Sequence, residues 1–298
     1  MIIQVDGLHK AFGAHEALRG LSLSVSDGSA YALIGANGAG KTTTIKVLTN
    51  IMQPSRGAAT LFGVDSRRLS HREFAQIGYV SENQQLPVRM TVGRYLEYLR
   101  PFYPSWDRHL EGEILSELRL PRDRKIGHLS HGMRLKMALA CALPFRPKLL
   151  VLDEPFSGLD PLIRDEFMER LLRQAGEMTI FISSHELAEI EGVTTHVGFI
   201  DRGRLLFEES MTELSGRIRE VRVTLEREAV APNQVPEGWI QLTAEGNVLS
   251  FVDTHFRQDR LADRISGLFQ EIRNIDVRPI ALRSIFTTLA RAARDEGI

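Results

Sequence analysis

The chain has 298 residues, 43% apolar and 25% charged, the mix of an ordinary folded globular protein rather than a disordered one. Its 37 Lys and Arg almost cancel 38 Asp and Glu, which removes any global electrostatic reason to bind nucleic acid or acidic lipid. A single cysteine, Cys141, excludes an internal disulfide and a cysteine-based zinc site, and suits a reducing compartment. The longest apolar run, Met137–Leu143, is too short to cross a bilayer, and no basic stretch followed by an apolar core opens the chain. A cytosolic location is expected unless a partner holds the protein at a membrane.

In chain order, Ile2–Val5 reads as a strand and Leu21–Val25 alternates apolar residues with Ser, the half-buried strand pattern. Tyr31–Ile34 is a short apolar run that enters a glycine-rich turn. Lys41–Ile51 favours a helix with Ile45, Val47, Leu48 and Ile51 inward, so strand, turn and helix open an α/β unit. Further on, Thr91 is placed to cap a helix carrying Tyr95, Leu96 and Leu99. Asp107–Leu118 brings Leu110, Ile114, Leu115 and Leu118 near one face. A third helix starts near Ser130 and stops at Pro144. Leu149–Leu152 and Thr179–Ser183 then read as strands buried in a parallel sheet.

Near Ser215 the pattern changes. Val221–Leu225, Trp239–Leu242 and Val248–Val252 alternate as strands, the last two joined at Glu245-Gly246-Asn247. Arg257–Phe269 reads as a helix, Ile272–Val277 as a strand and Leu282–Ala293 as a closing helix. From residue 216 onward the chain holds 12 Arg, no Lys and 12 acidic residues, so this α+β appendage is not a basic nucleic-acid arm.

The turn after Tyr31–Ile34 carries the chemistry. Gly35-Ala36-Asn37-Gly38-Ala39-Gly40-Lys41-Thr42 fits G-x-x-x-x-G-K-[ST]. Its glycines let backbone N–H groups turn inward around phosphate oxygens, and the following helix presents its positive end. Lys41 is set to reach the β- and γ-phosphates and the Thr42 hydroxyl to ligate Mg²⁺. Asp153 and Glu154 follow the buried run Leu149–Leu152, where one carboxylate can hold the Mg²⁺ shell and its neighbour can position or deprotonate water.

From these motifs onward the sequence resembles the ATP-binding subunit of a bacterial ABC transporter, over about Met1–Glu213. Leu129-Ser130-His131-Gly132-Met133 is similar to the family signature L-S-G-G-Q, with His131 in place of Gly and Met133 in place of Gln. Ser157-Gly158-Leu159-Asp160 resembles the family's D-loop, and Ile77-Gly78-Tyr79-Val80-Ser81-Glu82 ends where the family usually has a glutamine.

The resemblance implies an α/β, P-loop NTPase core with an N-terminal β subdomain, a helical signature subdomain at about 83–145 and a small α+β appendage. The expected domains are 1–215 for the ATPase and 216–298 for the accessory part. It implies that ATP is held by Phe12 on the adenine and by Gly35, Asn37, Gly38, Ala39, Gly40, Lys41, Thr42 and Thr43 on the phosphates. Thr42, Glu82 and Asp153 would serve Mg²⁺, and Glu154 and His185 the hydrolytic step. Ser130 and Gly132 would meet the γ-phosphate of ATP held by a second copy, and Asp160 would organise that dimer interface. The implied partners are a second ATPase subunit and a separate membrane permease, with export favoured and no nucleic acid. The expected place is the cytoplasmic face of the membrane. A soluble ABC-type ATPase of translation or DNA repair is the alternative; the first usually carries two cassettes and the second a long coiled-coil insertion, and neither is present here.

Overall fold

The computed structural model describes residues 1–157, 164, 167–169, 171, 178–186, 189–190, 192–232 and 234–280. Asp160 and the helix expected over 282–293 lie outside the described residues. The chain divides into two compact units, Met1–Glu208 and Glu209–Ile298.

The first unit opens with the strands β1 (Ile3–Phe12), β2 (His15–Val25) and β3 (Ala30–Ile34), then the helix α1 (Lys41–Leu48). Next come β4 (Arg56–Leu61), β5 (Val64–Asp65), the short helix α2 (His71–Phe74) and β6 (Ile77–Ser81). Three helices follow: α3 (Val92–Leu99), α4 (Arg108–Glu117) and α5 (His131–Ala142). The strands β7 (Leu149–Asp153), β8 (Thr179–Ser184), β9 (His196–Asp201) and β10 (Arg204–Ser210) then complete two sheets. One has the order β2-β1-β4-β5 and the other β10-β9-β3-β8-β7-β6.

In the six-stranded sheet, β3 runs parallel to β8 and β9, and β7 runs parallel to β6 and β8. Parallel strands bury both faces, which explains why every residue of β7 and β8 is buried. The register also sets Ser81 opposite Asp153 and Asp153 opposite Ser183. The loops after β3, β6, β7 and β8 therefore leave the sheet at one edge, where α/β proteins place their ligands.

The helix α1 ends at Leu48, not at Ile51 as the sequence suggests. Asn50 takes φ 55°, a left-handed turn that ends helices, and Ile51 is 62% exposed instead of inward. Thr91 and Ser130 cap their helices as expected, and Asp107, which the periodicity places inside a helix, is the N-cap of α4. The Thr91 hydroxyl accepts from Arg94 N at 3.4 Å, the Asp107 carboxylate from His109 N at 2.9 Å, and the Ser130 hydroxyl from Met133 N at 3.3 Å. Periodicity gives no hint of the buried Glu111 on α4. Its carboxylate accepts from Arg100 and Arg122 and from Trp106 Nε1, so a buried charge keeps a full set of donors.

The second unit contains the helix α6 (Met211–Arg217), the strands β11 (Arg219–Leu225), β12 (Trp239–Glu245) and β13 (Val248–Asp253), the helix α7 (Gln258–Ser266) and the strand β14 (Ile272–Pro279). Its sheet has the order β12-β13-β11-β14 with antiparallel neighbours. Val221, Val223, Trp239, Leu249 and Phe251 pack with Leu261 and Ile265 of α7 as its core. The pattern change near Ser215 falls inside this unit, a few residues after α6 begins. Among the described residues, no helix is long and apolar enough to cross a membrane.

Candidate nucleotide site

The loop from Ile34 to Lys41 is shaped by what its glycines exclude. A Cβ on Gly35 would lie 2.2 Å from the Ile200 carbonyl oxygen. Gly40, with φ 115°, would bring one within 2.9 Å of the Ala17 carbonyl oxygen. Backbone therefore packs on backbone at both positions, and only glycine fits. Gly40 is also the residue from which α1 starts, so the first turn of the helix faces the loop.

Lys41 is buried, at 5% exposure. Its Nζ donates to the carbonyls of Gly35 at 2.6 Å and Ala36 at 3.1 Å, and pairs with Glu154 Oε1 at 2.9 Å. Next to it, the Thr42 hydroxyl donates to Asp153 Oδ1 at 3.0 Å. The Ser183 hydroxyl donates to the same oxygen at 2.8 Å and accepts from Glu154 N at 3.0 Å. Burial pushes the Asp153 carboxyl above the usual range, against the opposing hydrogen bonds from Ser183 and Thr42.

Glu154 has φ 50°, a left-handed conformation unusual for a residue with a Cβ. Strain of this kind gathers at functional sites. Its carboxylate lies between two partners, with Oε1 on Lys41 and Oε2 2.7 Å from His185 Nδ1. That hydrogen bond to Glu154 raises the pKa of His185 above its ordinary value.

Lys41, Thr42, Asp153 and Glu154 border a cleft of about 650 Å³, whereas Ser183 and His185 stand behind Asp153 and Glu154 and are not among its lining residues. Phe12, at the end of β1 and 48% exposed, lines it, and Lys10 Nζ sits 5.2 Å from the ring centroid. Asn37, Gly38, Gly40, Thr43 and the half-buried Glu82 line it too, and Glu82 N donates to the Asp153 carbonyl at 3.2 Å. Gly35 takes part through its carbonyl on Lys41, whereas Ala39 is buried in the core cluster beneath the loop. Lys46 and Tyr79 also line the cleft, unforeseen from the sequence. Ser183 is likewise unforeseen, because its contact with Asp153 comes from the register of β8 against β7.

Ser130, His131 and Gly132 are not among the residues lining this cleft. Ser130 is an exposed cap and Gly132 is buried in the first turn of α5. His131 is exposed yet not free in solvent, because its Nε2 lies 3.3 Å from the Ser157 carbonyl oxygen.

The family described as "ABC transporter" matches residues 18–157. The bacitracin transport ATP-binding protein BcrA of Bacillus licheniformis is 34% identical over 224 residues, 74% of this chain and 73% of that protein. The chain belongs to the ABC transporter ATP-binding family. The uncharacterized ABC transporter ATP-binding protein YcbN of Bacillus subtilis is 33% identical over 81% of this chain and 80% of its own length. Among solved structures, an ATP-binding subunit of an ABC transporter superposes with a TM-score of 0.66 at 29% identity, covering 72% of this chain and 92% of that one. This ABC protein is thus an ATP-binding, ATP-hydrolysing transporter subunit of the P-loop α/β class. Its relatives are named for transport, which disfavours the translation and DNA-repair alternative. Family membership implies in general a membrane permease and a dimer of ATPase subunits.

Proposed function

We propose that this chain is the motor of a bacterial exporter whose permease is a separate protein, and that it acts as a homodimer on the cytoplasmic face of the membrane. The observation that carries the reading is the convergence of Lys41, Thr42, Asp153, Glu154 and His185 at one sheet edge. Export is favoured by the relatives named for bacitracin transport.

In this reading ATP lies with its adenine against Phe12 and its phosphates in the loop from Gly35 to Thr43. Lys41 holds the β- and γ-phosphates. Magnesium suits the donors, since Thr42 and Asp153 offer hard oxygens 3.0 Å apart and Glu82 borders the same cleft. When bound, the ion offsets phosphate charge. Glu154 takes a proton from water, and His185, oriented through its Nδ1, meets the γ-phosphate with its other nitrogen. Ser130 and Gly132 serve ATP on the second copy, where a helix N-terminus favours a phosphate. The ATPase domain is assigned to about 1–215 and the accessory domain to 216–298, with the compact units parting at Glu208 and Glu209.

The test is to isolate the full chain from detergent-solubilised membranes and assay the complex. A co-purifying multispan membrane protein that changes the ATPase rate supports the reading. Recovery with ribosomes or DNA and no membrane protein overturns it.

A further inference from the structure

We propose that Glu189 is a positioning residue for His185, acting through Ser184. The inference rests on the hydrolytic roles assigned above to Glu154 and His185.

Ser184 ends β8 and is fully buried, and Glu189 lies five residues on with 9% exposure. The Ser184 hydroxyl donates to Glu189 Oε2 and accepts from Glu186 N at 3.0 Å. The two neighbours of His185 are therefore fastened to each other, and Ser184 is fastened in turn to a buried carboxyl. Ligand atoms of Glu154, His185 and Glu189 all lie within 4.8 Å of one another. A carboxyl enclosed in this way is costly, and burial raises the pKa of Glu189. A turn that needed only closure could use an exposed cap at less expense.

The cost has a return if imidazole aim matters. With Ser184 and Glu186 fixed, the ring has one bonded direction among the described residues, Nδ1 on Glu154 Oε2 at 2.7 Å. Nε2 is then the nitrogen left to meet a phosphate. The same three groups make a poor metal centre, because Glu154 Oε1 is already paired with Lys41.

The experiment measures kcat and KM for Mg-ATP on the full chain, using single-turnover rates where steady state is too slow. Glu189→Ala should lower kcat about tenfold and leave KM within about twofold, the signature of a group acting on the transition state. Glu189→Gln keeps an acceptor oxygen for Ser184 and should stay within about threefold of wild type. In a His185→Ala background, Glu189→Ala should change kcat by less than about twofold, as coupled residues do. If Glu189→Ala fails to fold, Ser184→Ala carries the same expectations. An unchanged kcat, or an equal loss with and without His185, makes Glu189 mere scaffold and overturns the proposal. An unaffected His185→Ala overturns the reading of the site itself. A damaged His185→Ala beside an intact Glu189→Ala overturns this inference alone.

Discussion

Lys41 Nζ lies 2.9 Å from Glu154 Oε1, so the cation that opens α1 and the carboxylate that follows β7 form one ion pair at 5% and 15% exposure. The two residues are 113 apart in sequence and meet because β3 and β7 flank β8 in parallel register. A phosphate in the cleft competes with Glu154 for Lys41. The binding group and the proposed base are thus electrostatically linked, and changing either alters the other.

Lys41→Ala should weaken ATP binding by about one to two orders of magnitude, the worth of hydrogen bonds to charged groups at about 1.5–3 kcal/mol. Turnover should fall with it. Titration calorimetry beside a phosphate-release assay reads both, and wild-type values in the two would remove Lys41 from the phosphate site.

Glu154→Gln should separate binding from hydrolysis. Glutamine keeps the size of Glu154 but accepts no proton, and general-base assistance is typically worth about 10²–10⁴-fold. It also removes the competitor for Lys41, so ATP should bind at least as tightly as in wild type. An ATP-dependent dimer should then accumulate, since closure is favoured while hydrolysis is slow. Light scattering and ATPase rates on the same sample check this. Near-normal hydrolysis would take the base role away from Glu154.

The His185–Glu154 pair has a definite pH signature. The hydrogen bond that His185 Nδ1 donates to Glu154 raises the native pKa of His185 above the unfolded value near 6.5. Protonation then favours the folded state, so the pair's contribution is fully present below the unfolded value. It is lost as pH rises through the native one. The Tm difference between wild type and His185→Ala should be larger at pH 6 than at pH 9. A gap that widens with pH would reverse the sign and refute the pairing.

His131→Gly removes one exposed contact to the Ser157 carbonyl. A net hydrogen bond is worth about 0.5–1.5 kcal/mol when buried, and less in water. Turnover should therefore stay within about threefold of wild type. A loss of tenfold or more, about 1.4 kcal/mol in barrier height, would mean that His131 has become part of the reacting site.

Truncation after Ser210 keeps β10, the edge strand of the six-stranded sheet, and removes the rest. Every residue lining the nucleotide cleft is at or before Glu154, so a fluorescent nucleotide should bind the shortened chain as it binds the full one. A folded truncation that no longer binds would show that the accessory unit completes the site.

The sequence by itself determined the features that are local in the chain. The run from Gly35 to Thr42 could be read because its glycine spacing is local in the chain, although the carbonyls that leave no room for a Cβ at Gly35 and Gly40 belong to the distant Ile200 and Ala17. Thr91 and Ser130 were legible as caps because a cap bonds to an amide two or three residues on. Asp153 and Glu154 stood out as charges at the end of an apolar run. Long-range contacts were not legible in this way. The end of α1 before Ile51, the donors around Glu111 and the place of Ser183 under Asp153 each depend on partners distant in sequence or on a backbone turn that composition does not mark. The tertiary structure alone decided that Lys41, Glu154 and His185 form one chain of contacts, because only parallel strand register brings three separate loops to a common edge.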